Sequence, residues 1–386
     1  MAEVFFAVCP RGIEPVLERE LAALGAGNLK PGAGGVQFSG TLATAYAANL
    51  QSRVASRILW LVAGGSYRNE ADLYALARDI PWEREFRTDQ RLRVDVTATH
   101  SPLQSLQFAT LKVKDAIVDR ARERTGERPS VDRAQPDVQV LAHLDESQAR
   151  LYIDLSGESL FKRGWRADKG EAPIKENLAA ALLLLSGWTP AQPLLDPFCG
   201  SGTIVIEAAC MATGRAPGLQ RRFGFEKLLG FDRAAWAALQ QQAREAIDDN
   251  AALHLVGRDI STGVVAIAQA NAVRAGLGAV LDSRRLHFEA GDARAGAPPA
   301  PAGMIVTNPP YGEQSSPRSA SVPDMMGDVA TQLKRQFAGW QAWLLSADRQ
   351  LPRQMRLRES RKTVIFNGAL ECRFFRFDMV AGSNRK

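Results

Sequence analysis

Two short apolar runs about a hundred residues apart constrain this chain more than any other feature. Leu194-Leu195 leads into Asp196-Pro197-Phe198-Cys199-Gly200-Ser201-Gly202-Thr203, and Met304-Ile305-Val306 leads into Thr307-Asn308-Pro309-Pro310-Tyr311. Each reads as a buried strand that stops abruptly, the first in a glycine loop that opens a helix, the second in a rigid proline turn. Around them the pattern alternates: helix Lys175 to Leu185, helix Thr203 to Met211, strand Leu253 to Asp259, helix Val264 to Arg274, strand Leu286 to Ala290, strand Ala342 to Leu345. Such alternation requires a mostly parallel sheet with helices on both faces. Ligands of open α/β sheets collect at the carboxyl ends of the strands, which is where both loops fall. The chain closes with Thr363 to Phe366 and Leu370 to Phe377 around Asn367-Gly368, an antiparallel hairpin.

The half before these motifs follows a different plan. Glu3 to Cys9 reads as a strand, and Ile13, Val16, Leu17, Leu21 and Leu24 recur at helical spacing before Gly25. A second helical pattern covers Leu42 to Leu61, followed by Leu73 to Ile80, the alternating strand Leu92-Val94-Val96, and a basic amphipathic helix from Leu103 to Arg124. Two strands, Val138 to His143 and Leu151 to Leu155, end this half. The turn-rich stretch from Ser156 to Pro173 marks a domain boundary.

Charge and cysteine usage narrow the function. The net charge of +6 arises wholly after Trp165: 21 basic and 21 acidic residues precede Arg166, and 27 and 21 lie from Arg166 onward. Excess positive charge in the half with the motifs suits a phosphate-bearing partner. Lys162, Arg163, Trp165, Arg166 and Lys169 combine cations with an aromatic ring, and are the expected RNA contact. Four scattered cysteines and four histidines without clustering indicate neither a disulfide framework nor a metal site. No apolar run is long and uncharged enough to span a bilayer, and the start lacks the features of a signal peptide, so a cytoplasmic protein is expected.

The motifs carry their own chemistry. Glycines in Asp196 to Thr203 let backbone approach a ligand, and the helix opened by Thr203 offers free N–H groups to a carboxylate. The lysine of a triphosphate loop is missing. Asp259, ending its strand, can accept from ribose hydroxyls, with Ile260 beside it; Asp232 competes for that role, because residues 212–250 read as an insertion. Asp292, followed by Ala293, can accept from an adenine amino group. In Asn308-Pro309-Pro310-Tyr311 the amide oxygen and the Pro309 carbonyl, held by fixed φ angles, can accept both hydrogens of an exocyclic amine, while Tyr311 stacks on an extruded base.

Together these strings, with Phe6 to Gly12, Leu160 to Arg166, Ala172 to Ala179, Thr307 to Glu313 and Asn367 to Arg373, resemble the THUMP-containing class I S-adenosylmethionine-dependent RNA methyltransferases. The similarity is to the N-terminal half of the bifunctional bacterial 23S rRNA large-subunit enzymes, which make N2-methylguanosine. The resemblance implies an α/β fold: a ferredoxin-like segment (residues 1–58) and a THUMP domain (residues 59–165) for RNA capture, then a Rossmann-like methyltransferase domain (residues 166–386) with a mostly parallel sheet and a terminal antiparallel hairpin. It implies S-adenosylmethionine as cofactor, held by Asp196, Phe198, Cys199, Gly200, Ser201, Gly202, Thr203, Asp259, Ile260, Asp292 and Ala293. It further implies catalysis by Asn308, Pro309, Pro310 and Tyr311 on 23S rRNA, without metal or membrane, by a monomer. The family string around the second-strand acid usually carries two acids, whereas Arg258-Asp259-Ile260-Ser261 has one. A tRNA N2-guanine enzyme, an N6-adenine methyltransferase acting on DNA or RNA, and a non-catalytic RNA-binding assembly factor are the alternatives.

Overall fold

The apolar faces are collected into two seven-stranded sheets, one in each of two units. The computed structural model describes residues 2–167, 174–310 and 321–380. Tyr311 and Lys169 therefore lie outside the described residues.

Unit 1 comprises residues 1–9, 17–160 and 221–241. Its elements in chain order are β1 (Glu3–Val8), α1 (Glu14–Ala23), β2 (Gly27–Gly32), β3 (Gly35–Gly40), α2 (Leu42–Gln51), β4 (Arg57–Ser66), α3 (Glu70–Asp79), β5 (Leu92–Ala98), α4 (Leu106–Thr125), β6 (Val138–Leu144) and β7 (Gln148–Asp154). The sheet order is β2-β3-β1-β4-β7-β6-β5, with only β5 and β6 parallel. β4 is the seam: its start pairs with β1 and its whole later length with β7. The boundary expected between residues 58 and 59 thus falls inside a strand. The single helix expected from Leu42 to Leu61 is in fact α2 followed by β4. Ser52 ends α2, and the run Arg57-Ile58-Leu59-Trp60-Leu61-Val62 is apolar enough to satisfy either period, so burial between two strands decides it.

Residues 221–241 belong to unit 1 although they lie within the span expected to be a continuous methyltransferase domain. The reason is aromatic. Tyr46 stacks on Phe225 at 4.3 Å, with Phe231 and Trp236 edge-on at 5.9 and 6.5 Å, and Phe223 stacks on Phe225 at 5.2 Å. Tyr46, Phe223, Phe225 and Trp236 are buried, so the insertion packs its aromatic rings around Tyr46 of α2 in this core.

Unit 2 comprises residues 10–16, 161–220 and 242–386. Its elements run α5 (Glu176–Ser186), β8 (Leu194–Asp196), α6 (Thr203–Ala212), then α7 (Arg233–Glu245), which starts in unit 1, β9 (Leu255–Asp259), α8 (Thr262–Arg274), α9 (Gly278–Asp282), β10 (Leu286–Ala290), β11 (Met304–Thr307), α10 (Val322–Gln336), β12 (Gln341–Ser346), α11 (Leu351–Gln354), β13 (Arg361–Asn367) and β14 (Leu370–Asp378). The order is β10-β9-β8-β11-β12-β14-β13; the first five strands are parallel, and β14 and then β13 are added antiparallel. Chain order reverses between β8 and β11, and a crevice opens at their carboxyl ends at such a switch point. α5 is apolar around nearly its whole circumference and almost entirely buried, as a helix enclosed on all sides must be. On the other side Leu195, Ile305, Met326, Trp340, Phe375 and Phe377 form the core.

Candidate functional site

The two loops meet at the switch point and are bonded to each other. Asp196 ends β8 with its carboxyl buried, and Oδ1 accepts from the Phe198 amide at 3.1 Å and from the Thr307 hydroxyl at 2.6 Å. Thr307 is itself 1% exposed and directly precedes Asn308. One hydrogen bond thus links the strand end carrying the glycine loop to the one carrying the proline turn. Burial is the main reason that the Asp196 carboxyl is pushed up to about 7; its two hydrogen bonds oppose the rise and Asp259 adds to it.

Gly200 and Gly202 both have positive φ, 52° and 86°, which sets the sharp path into α6. A Cβ on Gly202 would meet Phe288 at 3.0 Å and Ala268 at 3.1 Å, whereas one on Gly200 would meet nothing within 4 Å. Gly202 lets helices and sheet pack closely; Gly200 leaves open space at the loop's crest. The Gly200 amide donates to Asp259 Oδ2 at 3.2 Å, and the Ser261 amide donates to Oδ1 at 2.9 Å. Each carboxylate oxygen keeps capacity for a further donor. Ile260 is 71% exposed, an apolar side chain left without cover beside that carboxylate. Cys199 is buried, and desolvation with the nearby Asp196 and Asp259 carboxyls raises its thiol well above its ordinary value. It is a neutral packing group rather than a nucleophile.

Asp232, the competing acid, belongs to unit 1, where its Oδ1 accepts from the Ala235 amide at 2.9 Å as a cap on α7. Asp292 follows β10 and is gripped by Arg294, whose Nη2 approaches to 2.6 Å and whose Nε lies 3.0 Å from both oxygens; that guanidinium keeps the carboxyl below its usual range. Ala293 is half-buried against the core. Pro309 is buried and Pro310 half-buried. Asn308 has its Oδ1 buried with no hydrogen-bond partner among the described residues. A buried carbonyl oxygen left unmatched forgoes about 1 to 3 kcal/mol, a cost that an incoming donor would recover.

The basic junction does not sit as expected. Arg163 is 3% exposed, its Nε 3.2 Å from Glu207 on α6, and Trp165 is 3% exposed with its carbonyl accepting from Arg274 at 2.8 Å. Side chains so withdrawn cannot stack on or bind an RNA at the surface, and the expectation for these two residues is corrected accordingly. Arg166 also turns inward: Nε donates to Glu176 at 2.9 Å, Nη1 contacts Ser201 Oγ at 3.1 Å and Nη2 contacts Thr203 Oγ1 at 2.8 Å. It braces the glycine loop. Lys162 is exposed. Sequence reasoning missed Glu176 and Glu207, the carboxylates that turn these arginines inward, and Asn271, whose Nδ2 donates to the Ser201 carbonyl at 3.0 Å. The one available signal was a pair of acids on otherwise apolar helices.

Residues 163–376 match the family model described as RMKL-like, methyltransferase domain, more than half of the chain. The chain belongs to that family. Residues 67–154 match the THUMP domain and residues 4–59 the RlmL ferredoxin-like domain. The Ribosomal RNA large subunit methyltransferase K/L of Shewanella baltica (strain OS195) is 39% identical over 390 residues, covering 99% of this chain and 54% of that protein. The chain thus spans about half the length of the curated relatives it matches. Among solved structures, SMU.472, a candidate methyltransferase complexed with S-adenosylhomocysteine, is 30% identical with a TM-score of 0.85 and 99% of each chain covered. A Listeria monocytogenes protein described as a predicted N6-adenine-specific DNA methylase is also 30% identical, with a TM-score of 0.88 over 98% of this chain and 97% of that one. Both support a Rossmann-like α/β fold of the kind expected. No helix among the described residues is long and apolar enough to cross a membrane.

Proposed function

We propose that this chain transfers a methyl group from S-adenosylmethionine to the exocyclic N2 amine of a guanosine in 23S rRNA. The observation that carries the reading is the buried, unmatched Oδ1 of Asn308 at the carboxyl end of β11, hydrogen-bonded through its neighbour Thr307 to the glycine loop. The residues fit the cofactor: Gly200 is open, the Asp259 oxygens can accept further donors, and Ile260 offers an uncovered apolar surface for a flat base. Bound S-adenosylmethionine supplies an electrophilic methyl carbon. The lone pair of a base amine is delocalised into its ring, so the enzyme must reduce that conjugation. Asn308 Oδ1 and the Pro309 carbonyl do so by accepting the two amine hydrogens, which holds the nitrogen pyramidal, localises its lone pair and aims it at the methyl carbon. As the N–C bond forms and the methyl leaves sulfur, nitrogen gains positive charge and the same two acceptors bind it more tightly, so their effect falls on the transition state; the acidified amine then releases one proton to water, and the thioether departs. Tyr311 is the stacking residue of this reading and Asp292 the acceptor for the adenine amine.

Ribosomal RNA is favoured by the relatives named Ribosomal RNA large subunit methyltransferase K/L, and guanine N2 follows only from the sequence resemblance. In this reading residues 1–58 and 59–165 capture RNA while residues 166–386 carry the chemistry. The test is methyl transfer to deproteinised 23S rRNA, tRNA and DNA, with the product nucleoside identified by mass spectrometry. N2-methylguanosine in 23S rRNA is expected. Asn308→Ala should lower turnover by roughly a hundredfold or more and leave S-adenosylhomocysteine affinity and thermal stability intact, because the lost atom had no partner. N6-methyladenosine as the product would overturn the base assignment, and near-normal turnover by the alanine variant would overturn the mechanism.

A further inference from the structure

The connection from β12 to β13 and the first half of β13 carry Arg353, Arg356, Arg358, Arg361 and Lys362. All five are exposed, and none has an ion-pair partner among the described residues. Neighbouring arginines differ: Arg349, just after β12, and Arg373 on β14 close on Glu371 at 3.1 and 2.9 Å, and Arg376 on β14 closes on Asp378 at 2.8 Å. Glu359 is the only acid within the stretch. Arg356 has a φ of 49°, a left-handed conformation that glycine adopts more cheaply, and the Lys334 ammonium fixes it by donating to the Met355 and Arg356 carbonyls at 3.2 and 3.0 Å.

The register places this cluster against the reaction edge. Lys362 pairs with Phe375, Phe375 with Leu344, and Leu344 with Thr307, so Lys362 is level with the residue that precedes Asn308. It stands three strand spacings away, roughly 14 Å. A polynucleotide carries one phosphate per about 3.4 Å of rise along each strand, so a strand presenting its base at Asn308 reaches this distance within a few nucleotides. Cations on an edge strand also deter sheet-to-sheet pairing. That purpose does not account for Arg353, Arg356 and Arg358, which precede the strand. The latter part of the edge is closed by other means, the Phe366 amide donating to the Arg11 carbonyl at 3.0 Å and Gly12 lying against the Val364 carbonyl.

We infer that the Arg353–Lys362 face is a docking surface for the phosphate backbone of the RNA substrate, flanking the modified nucleotide. The inference rests on the methyl-transfer reading above. Its test is the salt dependence of binding to a deproteinised 23S rRNA fragment by the full chain and by the triple variant Arg358→Gln/Arg361→Gln/Lys362→Gln. Because the variant can no longer neutralise the phosphates that these three cations meet, its slope of log K against log salt should fall by roughly 2 to 3. The affinity gap between the two proteins should then narrow by roughly 15- to 60-fold between 50 and 200 mM salt. S-adenosylhomocysteine affinity should be unchanged. Parallel salt plots with an active wild type would overturn the docking surface and leave the function standing. Parallel plots accompanied by self-association of the variant would assign the cations to guarding the edge. A wild type that methylates no RNA would instead overturn the functional reading on which the surface depends.

Discussion

Replacing Asp196 by asparagine separates the charge of the buried carboxyl from its geometry. Asparagine keeps an acceptor oxygen for the Thr307 hydroxyl and the Phe198 amide, the two bonds seen in the structure, but never ionises. In the folded protein the carboxyl is pushed from an ordinary 3.8 up to about 7. The unfolded chain releases this proton near pH 4, whereas the folded chain holds it to near pH 7. Between those limits the folded state binds more protons, and stability must fall as pH rises. The contribution is fully present below about pH 4, declines by up to ~1.4 kcal/mol per pH unit, and is lost above about pH 7, a total of roughly 4 kcal/mol.

Wild type and Asp196→Asn should therefore be closest in stability near pH 4 and diverge up to about pH 7, with the variant more stable at the alkaline end. A two-unit chain is unlike a simple two-state domain, so the transition to follow is the one that shifts when S-adenosylhomocysteine is added. Urea titrations at pH 5.5, 6.5, 7.5 and 8.5 give the difference curve directly, and other buried acids such as Glu20 and Asp154 cancel from it. Stability curves that stay parallel across this range would refute a proton held by Asp196. If the divergence appears while the variant loses turnover at every pH, the Asp196–Thr307 bond needs a carboxyl specifically to hold Asn308 in place.

Two further outcomes follow from the inward-facing arginines. Arg166→Ala should weaken S-adenosylhomocysteine binding about tenfold or more, because Ser201 and Thr203 lose their brace; 5′-methylthioadenosine, which lacks the amino-acid portion, should bind nearly as before. Calorimetry showing equal losses for the two ligands would make Arg166 a general structural support. Arg163→Met should cost about 3 to 5 kcal/mol in denaturant titrations, since it strands the Glu207 carboxylate at 2% exposure, and adding Glu207→Gln should restore much of that loss.

Sequence periodicity was enough to read the parallel strands of unit 2, because a parallel sheet buried on both faces writes each strand as an unbroken apolar run, but it did not show α10 between β11 and β12. The loops after β8, β9 and β11 could be located for the same reason: a strand end is visible wherever glycine, proline or a lone acid interrupts such a run. β2 was invisible, as Gly27-Asn28-Leu29-Lys30-Pro31-Gly32 is mostly exposed and carries no alternation, and β4 was merged into a helix because its apolar run fits both periods. Residues 221–241 read as an insertion, but their aromatic side chains do not announce which core they enter.

The arginines of the 162–169 junction and those of the 353–362 stretch look alike as sequence: cations close together with little acid between them. What separates them is whether a carboxylate arrives from elsewhere in the chain. Glu176 and Glu207 sit on helices so apolar that an ionised acid there is unfavourable unless a guanidinium meets it, and burial raises the Glu176 carboxyl even with Arg166 beside it. A buried acid on an apolar helix thus predicts an inward arginine, and the Arg163 and Arg166 charges are consumed by the fold. No such acid faces the Arg353–Lys362 stretch among the described residues. Its charge remains available to a ligand, and for that reason the salt slope of RNA binding should respond to Arg358, Arg361 and Lys362 and not to Arg163.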